Sequence, residues 1–122
     1  MGHALQPYWE DEEHGLTIYH GDCLEVMPRL DRRFDLCLTD PPYGIGLEYG
    51  GFADTKDNVC RLAQQFVPRA QAICNRVMTT LGQSNIYNYP PPTWILSWVC
   101  TAGTGRGKWG FNCWHPIILL WQ

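Results

Sequence analysis

The sequence predicts an α/β domain in which parallel strands are followed by an antiparallel C-terminal pair. Short apolar runs alternate with helically spaced apolar residues between residues 16 and 81, the pattern of strands joined by crossover helices. Two later apolar runs flank the Gly-rich segment 103–110, as in two strands of a hairpin. With 122 residues, 45% of them hydrophobic, the chain predicts a single domain with a modest core.

The first strands and a short helix are expected in the N-terminal third. Residues 1–15 are polar and acidic, which predicts a mobile lead-in. Leu16–Tyr19 is a β-rich run, and Phe34–Thr39 is mostly apolar, as in a strand that is buried on both faces. A short helix between them is indicated by apolar residues at helical spacing: Leu24, Met27 and Leu30.

A longer helix and three more strands are expected after the Gly-rich segment 44–51. Apolar residues from Val59 to Val77 form a stripe of period 3.6, which predicts a helix of about five turns. Asp57 or Asn58 is the expected N-cap, and Pro68 lies on the polar side of the helix, where a kink is tolerated. The remaining strands are predicted at 76–81, 94–100 and 113–121.

Composition limits the possible classes of protein. The six cysteines include no CxxC pair and the four histidines are scattered, so reduced structural cysteines and no metal site are predicted. No apolar stretch is long enough to span a membrane, and the start does not resemble a signal peptide, which predicts a cytoplasmic protein. Residues 1–57 have a net charge of −8 and residues 58–122 a net charge of +5. This asymmetry arises either by chance or because the chain binds a polyanion.

The strongest chemical signal is Asp40-Pro41-Pro42-Tyr43, directly after a predicted strand. Ligands bind at the carboxyl ends of parallel strands, and Asp22 follows the other early strand. The two prolines make the turn rigid. A carboxylate, the Pro41 carbonyl and an aromatic ring at fixed positions suit a planar base that carries an exocyclic amino group. Reaching that amine inside a duplex requires the base to be flipped out.

These residues resemble the DNA N6-adenine and N4-cytosine methyltransferases, whose catalytic motif is Asp/Asn/Ser-Pro-Pro-Tyr/Phe/Trp. Upstream, Gly21-Asp22-Cys23-Leu24 is similar to a segment of family members in which the catalytic motif comes early. Downstream, Trp94 to Trp98 and Trp109 to Pro116 resemble a phage-type DNA methylase subgroup. The similarity extends over most of residues 16–120.

The resemblance implies a Rossmann-like methyltransferase sheet and assigns roles to particular residues. Asp40, Pro41, Pro42 and Tyr43 would be catalytic, and Asp at the first position favours adenine N6 over cytosine N4. S-adenosylmethionine would be the cofactor and double-stranded DNA the partner, as in restriction-modification systems. The residues expected to contact the cofactor are Asp22, Cys23, Thr39 and Asp40.

The family's Phe-x-Gly-x-Gly cofactor loop and target-recognition segment are not found in this sequence. We therefore expect residues 16–122 to be a partial, C-terminally truncated catalytic domain with weak or no activity. Self-association, or pairing with a missing C-terminal half, would cover the exposed apolar edge.

Other functions remain open. The chain could be a non-catalytic module that binds DNA or another partner, or it could methylate an amide nitrogen or an RNA base. The run 103–107 is rejected as a phosphate loop because no helix start follows it. Arg106 and Lys108 near it could contact DNA phosphates. Trp94 and Trp98 share one strand face, for which core packing is favoured over a base-stacking platform.

Overall fold

The computed structural model describes residues 5–100, 105–107 and 110–121. The first elements are strands β1 (Trp9–Asp11) and β2 (Leu16–Ile18), helix α1 (Cys23–Val26) and strand β3 (Phe34–Thr39). The hairpin of β4 (Glu48–Tyr49) and β5 (Phe52–Ala53) precedes helix α2 (Lys56–Ile73) and strand β6 (Cys74–Thr80). The last strands are β7 (Trp94–Val99), β8 (Gly105–Gly107), β9 (Gly110–Asn112) and β10 (Trp114–Trp121). The described residues also form 3₁₀ turns at Met27–Arg29 and Gln83–Asn88.

The main sheet confirms the predicted mixture of parallel and antiparallel strands. Its strand order is β3-β6-β10-β7. β3 and β6 are parallel and joined through α2, and β10 is antiparallel to both of its neighbours. The predicted C-terminal antiparallel pair is therefore β7 with β10, and the Gly-rich segment between them contains the small β8–β9 ladder.

The prediction for Leu16–Tyr19 is correct as a strand and wrong as a member of the main sheet. β2 pairs with β1 in a separate two-stranded ladder, and all three β2 residues are exposed. The turn between them is closed by Asp11, whose carboxylate accepts hydrogen bonds from His14. Trp9–Asp11, within the predicted acidic lead-in, therefore forms a strand. Asp22 consequently does not follow a strand of the main sheet.

Helix α2 has the predicted five-turn length, but its ends differ from the prediction. Thr55 is the N-cap, and its hydroxyl accepts a hydrogen bond of 3.2 Å from the amide of Asn58. The helix ends at Ile73 because Cys74 already has extended backbone angles and pairs with Phe34 of β3. Pro68 lies on the exposed side, as expected.

One face of the sheet forms the core against α2. The buried residues of this cluster lie on α2, the sheet strands and the segment after β6: Ala63, Phe66, Val67, Ala70, Val77, Leu81, Tyr89, Ile118 and Leu120. Cys37 packs against the cluster, and burial raises the pKa of its thiol to about 11. No disulfide bond joins the cysteines of the described residues.

The opposite face of the sheet has half-buried and exposed side chains in the described part of the chain. Leu38 of β3 is 72% exposed, so the expectation that β3 is buried on both faces is wrong. Trp94 and Trp98 share this face, as predicted, because they pair with Leu119 and His115. Both are more than half exposed, and core packing therefore does not explain them. Within the described residues no helix is long and apolar enough to cross a membrane.

Candidate active site

Two parallel strands end side by side at the candidate site. β3 ends at Thr39 and β6 at Thr80, and Thr39 pairs with Thr79, so Asp40 emerges next to Thr80. The Thr80 hydroxyl donates a hydrogen bond to Asp40 Oδ1. The Tyr43 hydroxyl donates to the same oxygen at 2.6 Å. Asp40 itself is exposed, so its carboxylate is oriented by two donors while remaining open to a ligand.

Tyr43 is held on several sides. Its ring lies against Gly82, where an added Cβ would be 3.1 Å from Tyr43 Cγ. The His115 ring lies 6.2 Å from it, centroid to centroid and tilted by 34°, and the Trp98 ring lies 5.6 Å beyond His115. Burial, followed by the hydrogen bond to Asp40, raises the pKa of Tyr43 to about 12. The phenol therefore stays protonated at neutral pH and continues to donate to Asp40.

The segment after the motif is fixed by a single carboxylate. Asp54 is 5% exposed, and it accepts hydrogen bonds from the amides of Gly44 (2.6 Å), Ile45 (3.0 Å) and Leu47 (3.0 Å). Burial raises the pKa of Asp54, but these amides outweigh it and hold the pKa below its usual value. Gly44 has φ +72° and packs on the Lys56 backbone. The chain therefore turns sharply directly after Tyr43.

Asp22 lies at the start of α1. Its carboxylate caps α1 by accepting a 2.8 Å hydrogen bond from the Leu24 amide. A cleft of about 550 Å³ opens beside it, between α1, the β4–β5 hairpin and α2. The lining residues with hydrogen-bonding or aromatic side chains are Asp22, Phe52, Asn58, Arg61 and Gln65.

The structure brings together only part of the predicted site. Asp40 and Tyr43 are in direct contact, with Pro41 and Pro42 half-buried between them. Of the residues predicted for the cofactor, Asp22 lines the cleft, whereas Cys23, Thr39 and Asp40 do not. Partial burial, followed by the Asp22 charge, raises the pKa of the Cys23 thiol.

The two residues predicted to contact DNA are only partly described. Arg106 lies on β8, but its side chain is outside the described part of the structure. Lys108 lies outside the described residues altogether.

Several residues that shape the site were not found from the sequence: Asp54, Lys56, Thr80, Gly82 and Asn85. Gly82 directly follows the strand predicted at 76–81, but nothing in the sequence connects it with the motif. A signal for Thr80 existed in principle, because a hydroxyl at the end of the strand beside the motif faces the same sheet edge. Neither Lys56 nor Asn85 has a local pattern that sets it apart.

Comparison with known proteins agrees with the predicted resemblance. Over 86 residues the chain is 38% identical to the Type II methyltransferase M.ScaI of Streptomyces caespitosus. This similarity supports the DNA methyltransferase family. The match covers 68% of this chain and 28% of M.ScaI, so the chain spans little more than a quarter of that relative's length. No family model matches the chain.

Proposed function

We propose that this chain is part of the catalytic domain of an S-adenosylmethionine-dependent DNA methyltransferase and that it retains weak activity by itself. The amine to be methylated is the N6 of a flipped adenine, with cytosine N4 as the second candidate, because Asp stands first in the motif. One observation carries the proposal: the Asp40 carboxylate emerges at the end of β3, and donors from Tyr43 and Thr80 orient it.

Asp40 is suited to bind an amine because the hydrogen-bond donors Tyr43 and Thr80 both bond to the same oxygen. Both hydrogen bonds from the described residues go to Oδ1, so Oδ2 is the oxygen that accepts a hydrogen from the amino group. The Pro41 carbonyl is the second acceptor for the same group. Two acceptors on the amine hydrogens direct the nitrogen lone pair toward the methyl donor. The Asp40 carboxylate is also positioned to accept the proton that leaves when the nitrogen is methylated.

Tyr43 supplies the aromatic surface for the base. Its ring position is fixed relative to the carboxylate, because the hydroxyl donates to Asp40 and the ring rests on Gly82. Aromatic rings hold a flipped base by stacking. The Tyr43–His115–Trp98 row extends away from Asp40 along the same sheet edge, and this row is compatible with an approaching nucleotide.

The cleft beside Asp22 fits a cofactor of the predicted kind. Its volume of about 550 Å³ is within the usual range for small-molecule sites. Asp22 offers a carboxylate for a nucleoside, Phe52 offers a ring, and Arg61, which also donates to Asn58 Oδ1, offers a cation for a carboxylate. S-adenosylmethionine, when bound, supplies an electrophilic methyl group. Cys23 and Thr39 do not line this cleft and are not assigned a contact there.

Double-stranded DNA is the proposed partner. The basic half of the sequence, residues 58–122, carries no acidic residue, which favours contact of this part of the chain with phosphates. Arg106 and Lys108 remain the residues predicted to make those contacts.

Transfer of a tritiated methyl group from S-adenosylmethionine to unmethylated DNA tests the proposal. We expect Asp40→Ala to lower the transfer rate by about 100-fold or more, because the amine loses its orienting acceptor. Asp35→Ala is the matched control, because it removes an exposed carboxylate near the other end of β3. Equal rates for Asp40→Ala and wild type would contradict the proposal, as would the absence of transfer to any DNA by the folded wild-type chain.

A further inference from the structure

Lys56 occupies an unfavourable position for a cation. It is the first residue of α2, and the positive end of the helix dipole disfavours a positive charge there. Its ammonium group nevertheless reaches back toward the motif and meets three oxygen acceptors. These are the Tyr43 carbonyl at 3.0 Å, the Ser84 hydroxyl, and Asn85 Oδ1 at 3.4 Å. An ammonium group has three donors, so the three acceptors match it one for one.

Asn85 completes the same network from the interior. It is fully buried, and its amide group donates to the Tyr43 carbonyl at 2.8 Å and to the Leu81 carbonyl at 2.7 Å. Its oxygen accepts from Lys56 and from Asn88. Buried polar groups that are fully satisfied make a rigid network. Residues that are locally unfavourable occur mainly at functional sites. Here a lysine at the start of a helix and a buried asparagine both donate to the Tyr43 carbonyl.

We propose that Lys56 and Asn85 are positioning residues that hold the Tyr43 carbonyl and thereby set the geometry between the Tyr43 ring and Asp40. Both lone pairs of the carbonyl are used, so the backbone at the end of the motif is fixed. The Tyr43 side chain then extends from that backbone to Asp40 Oδ1. Neither positioning residue has to touch the base.

The consequence for catalysis rests on the proposed function. A loosened Tyr43 backbone displaces both the stacking ring and the donor that orients Asp40. Displacement of about 1 Å lowers catalytic rates by about 100-fold. The loss of Lys56 therefore lowers kcat by about 10- to 100-fold and leaves the KM for DNA within a few-fold of wild type.

The first measurement is independent of catalysis. In protein labelled with [ζ-13C]tyrosine, the Tyr43 resonance is assigned by its loss in Tyr43→Phe. We expect Lys56→Met to move this resonance toward the value of tyrosine in the denatured chain, because the hydrogen bond to Asp40 weakens. Lys56→Gln keeps one donor group and is expected to give an intermediate shift. Arg69→Met removes a cation from the exposed side of the same helix and is expected to leave the resonance unchanged.

The second measurement is methyl transfer by the same variants at saturating and limiting DNA. The expected order of kcat is wild type and Arg69→Met together, then Lys56→Gln, then Lys56→Met. An unmoved Tyr43 resonance in folded Lys56→Met or Lys56→Gln would overturn the positioning role, and so would a moved resonance with unchanged kcat. If wild type transfers no methyl group at all, the proposed function fails, whereas the resonance still decides whether the network holds Tyr43.

Discussion

Substitution of Gly82 by alanine tests how closely the Tyr43 ring packs against the end of β6. Gly82 has φ +70° and ψ 144°, a region occupied almost only by glycine, where other residues cost about 1–3 kcal/mol. The new methyl group would also lie 3.1–3.3 Å from three atoms of Tyr43. Overpacking of this kind costs about 1–3 kcal/mol more. The expected loss in free energy of unfolding is therefore about 2–6 kcal/mol.

Two glycines of the β4–β5 turn separate these two costs. Gly50 has φ +66° with nothing near its added Cβ, and Gly51 has an ordinary φ and equally open space. Gly50→Ala should cost about 1–2 kcal/mol through backbone strain alone. Gly51→Ala should be neutral or stabilise the fold by up to about 1 kcal/mol.

Urea unfolding of the three variants, followed by circular dichroism, measures these differences. The slope of free energy against urea concentration should be the same for all, so that the midpoints report stability. If Gly82→Ala is no less stable than Gly50→Ala, the ring does not press on Gly82. The account of how Tyr43 is held would then be refuted.

Three further predictions concern the loop, the phenol and the helix. Because the pKa of Tyr43 is raised to about 12, its contribution to the free energy of unfolding is complete below its unfolded pKa, about 10, and is lost as pH rises toward 12. Urea midpoints between pH 8 and 12 should therefore fall less steeply in Tyr43→Phe than in wild type. Asp54→Asn should speed hydrogen exchange at the Gly44 amide, measured by NMR at neutral pH, and unchanged exchange would contradict the role of this carboxylate. Because the pKa of Asp54 is lowered, the stronger protection of this amide in wild type should be present above pH about 4 and disappear as pH falls through the lowered pKa. Pro68→Ala restores a donor inside α2 and should raise the free energy of unfolding by about 1–3 kcal/mol, as judged by urea unfolding; a loss of stability would show that the helix depends on the proline.

Local patterns were sufficient to predict helix α2 and the β7–β10 pair. The apolar stripe of α2 and the apolar runs around the Gly-rich segment each lie within one short stretch of sequence. Packing of a single amphipathic face or of a hairpin depends mainly on such neighbours. The N-cap was harder, because Thr55, Asp57 and Asn58 are all chemically suitable and only the backbone angles select Thr55.

The partner of β2 could not be predicted from its own residues. A three-residue strand has too few positions to define a buried face, and the acidic Trp9–Asp11 did not suggest a strand. The alternation of strands and helices predicted one sheet with successive parallel strands. In the structure β2 instead pairs with β1, which lies only a four-residue turn before it. Short strands of this kind are specified by turn geometry more than by pattern.

The candidate site divides in the same way between local and distant residues. Asp40 and Tyr43 are three positions apart, and a single motif contains both. Thr80 reaches Asp40 across 40 positions, and Asn85 reaches Tyr43 across 42. Those contacts depend on the register of β3 against β6, which one sequence does not reveal. The motif was therefore identifiable from the sequence, whereas the distant groups that orient its carboxylate were not.

Nucleoside analysis of DNA tests the central claim, that Asp40 presents an exocyclic amine to a methyl donor. Unmethylated genomic DNA is incubated with the chain and S-adenosylmethionine, digested to nucleosides and examined by mass spectrometry. The proposal predicts N6-methyladenine from wild type and from Asp35→Ala, and none above background from Asp40→Ala. Methylation at a ring carbon, or equal N6-methyladenine from Asp40→Ala, would contradict it.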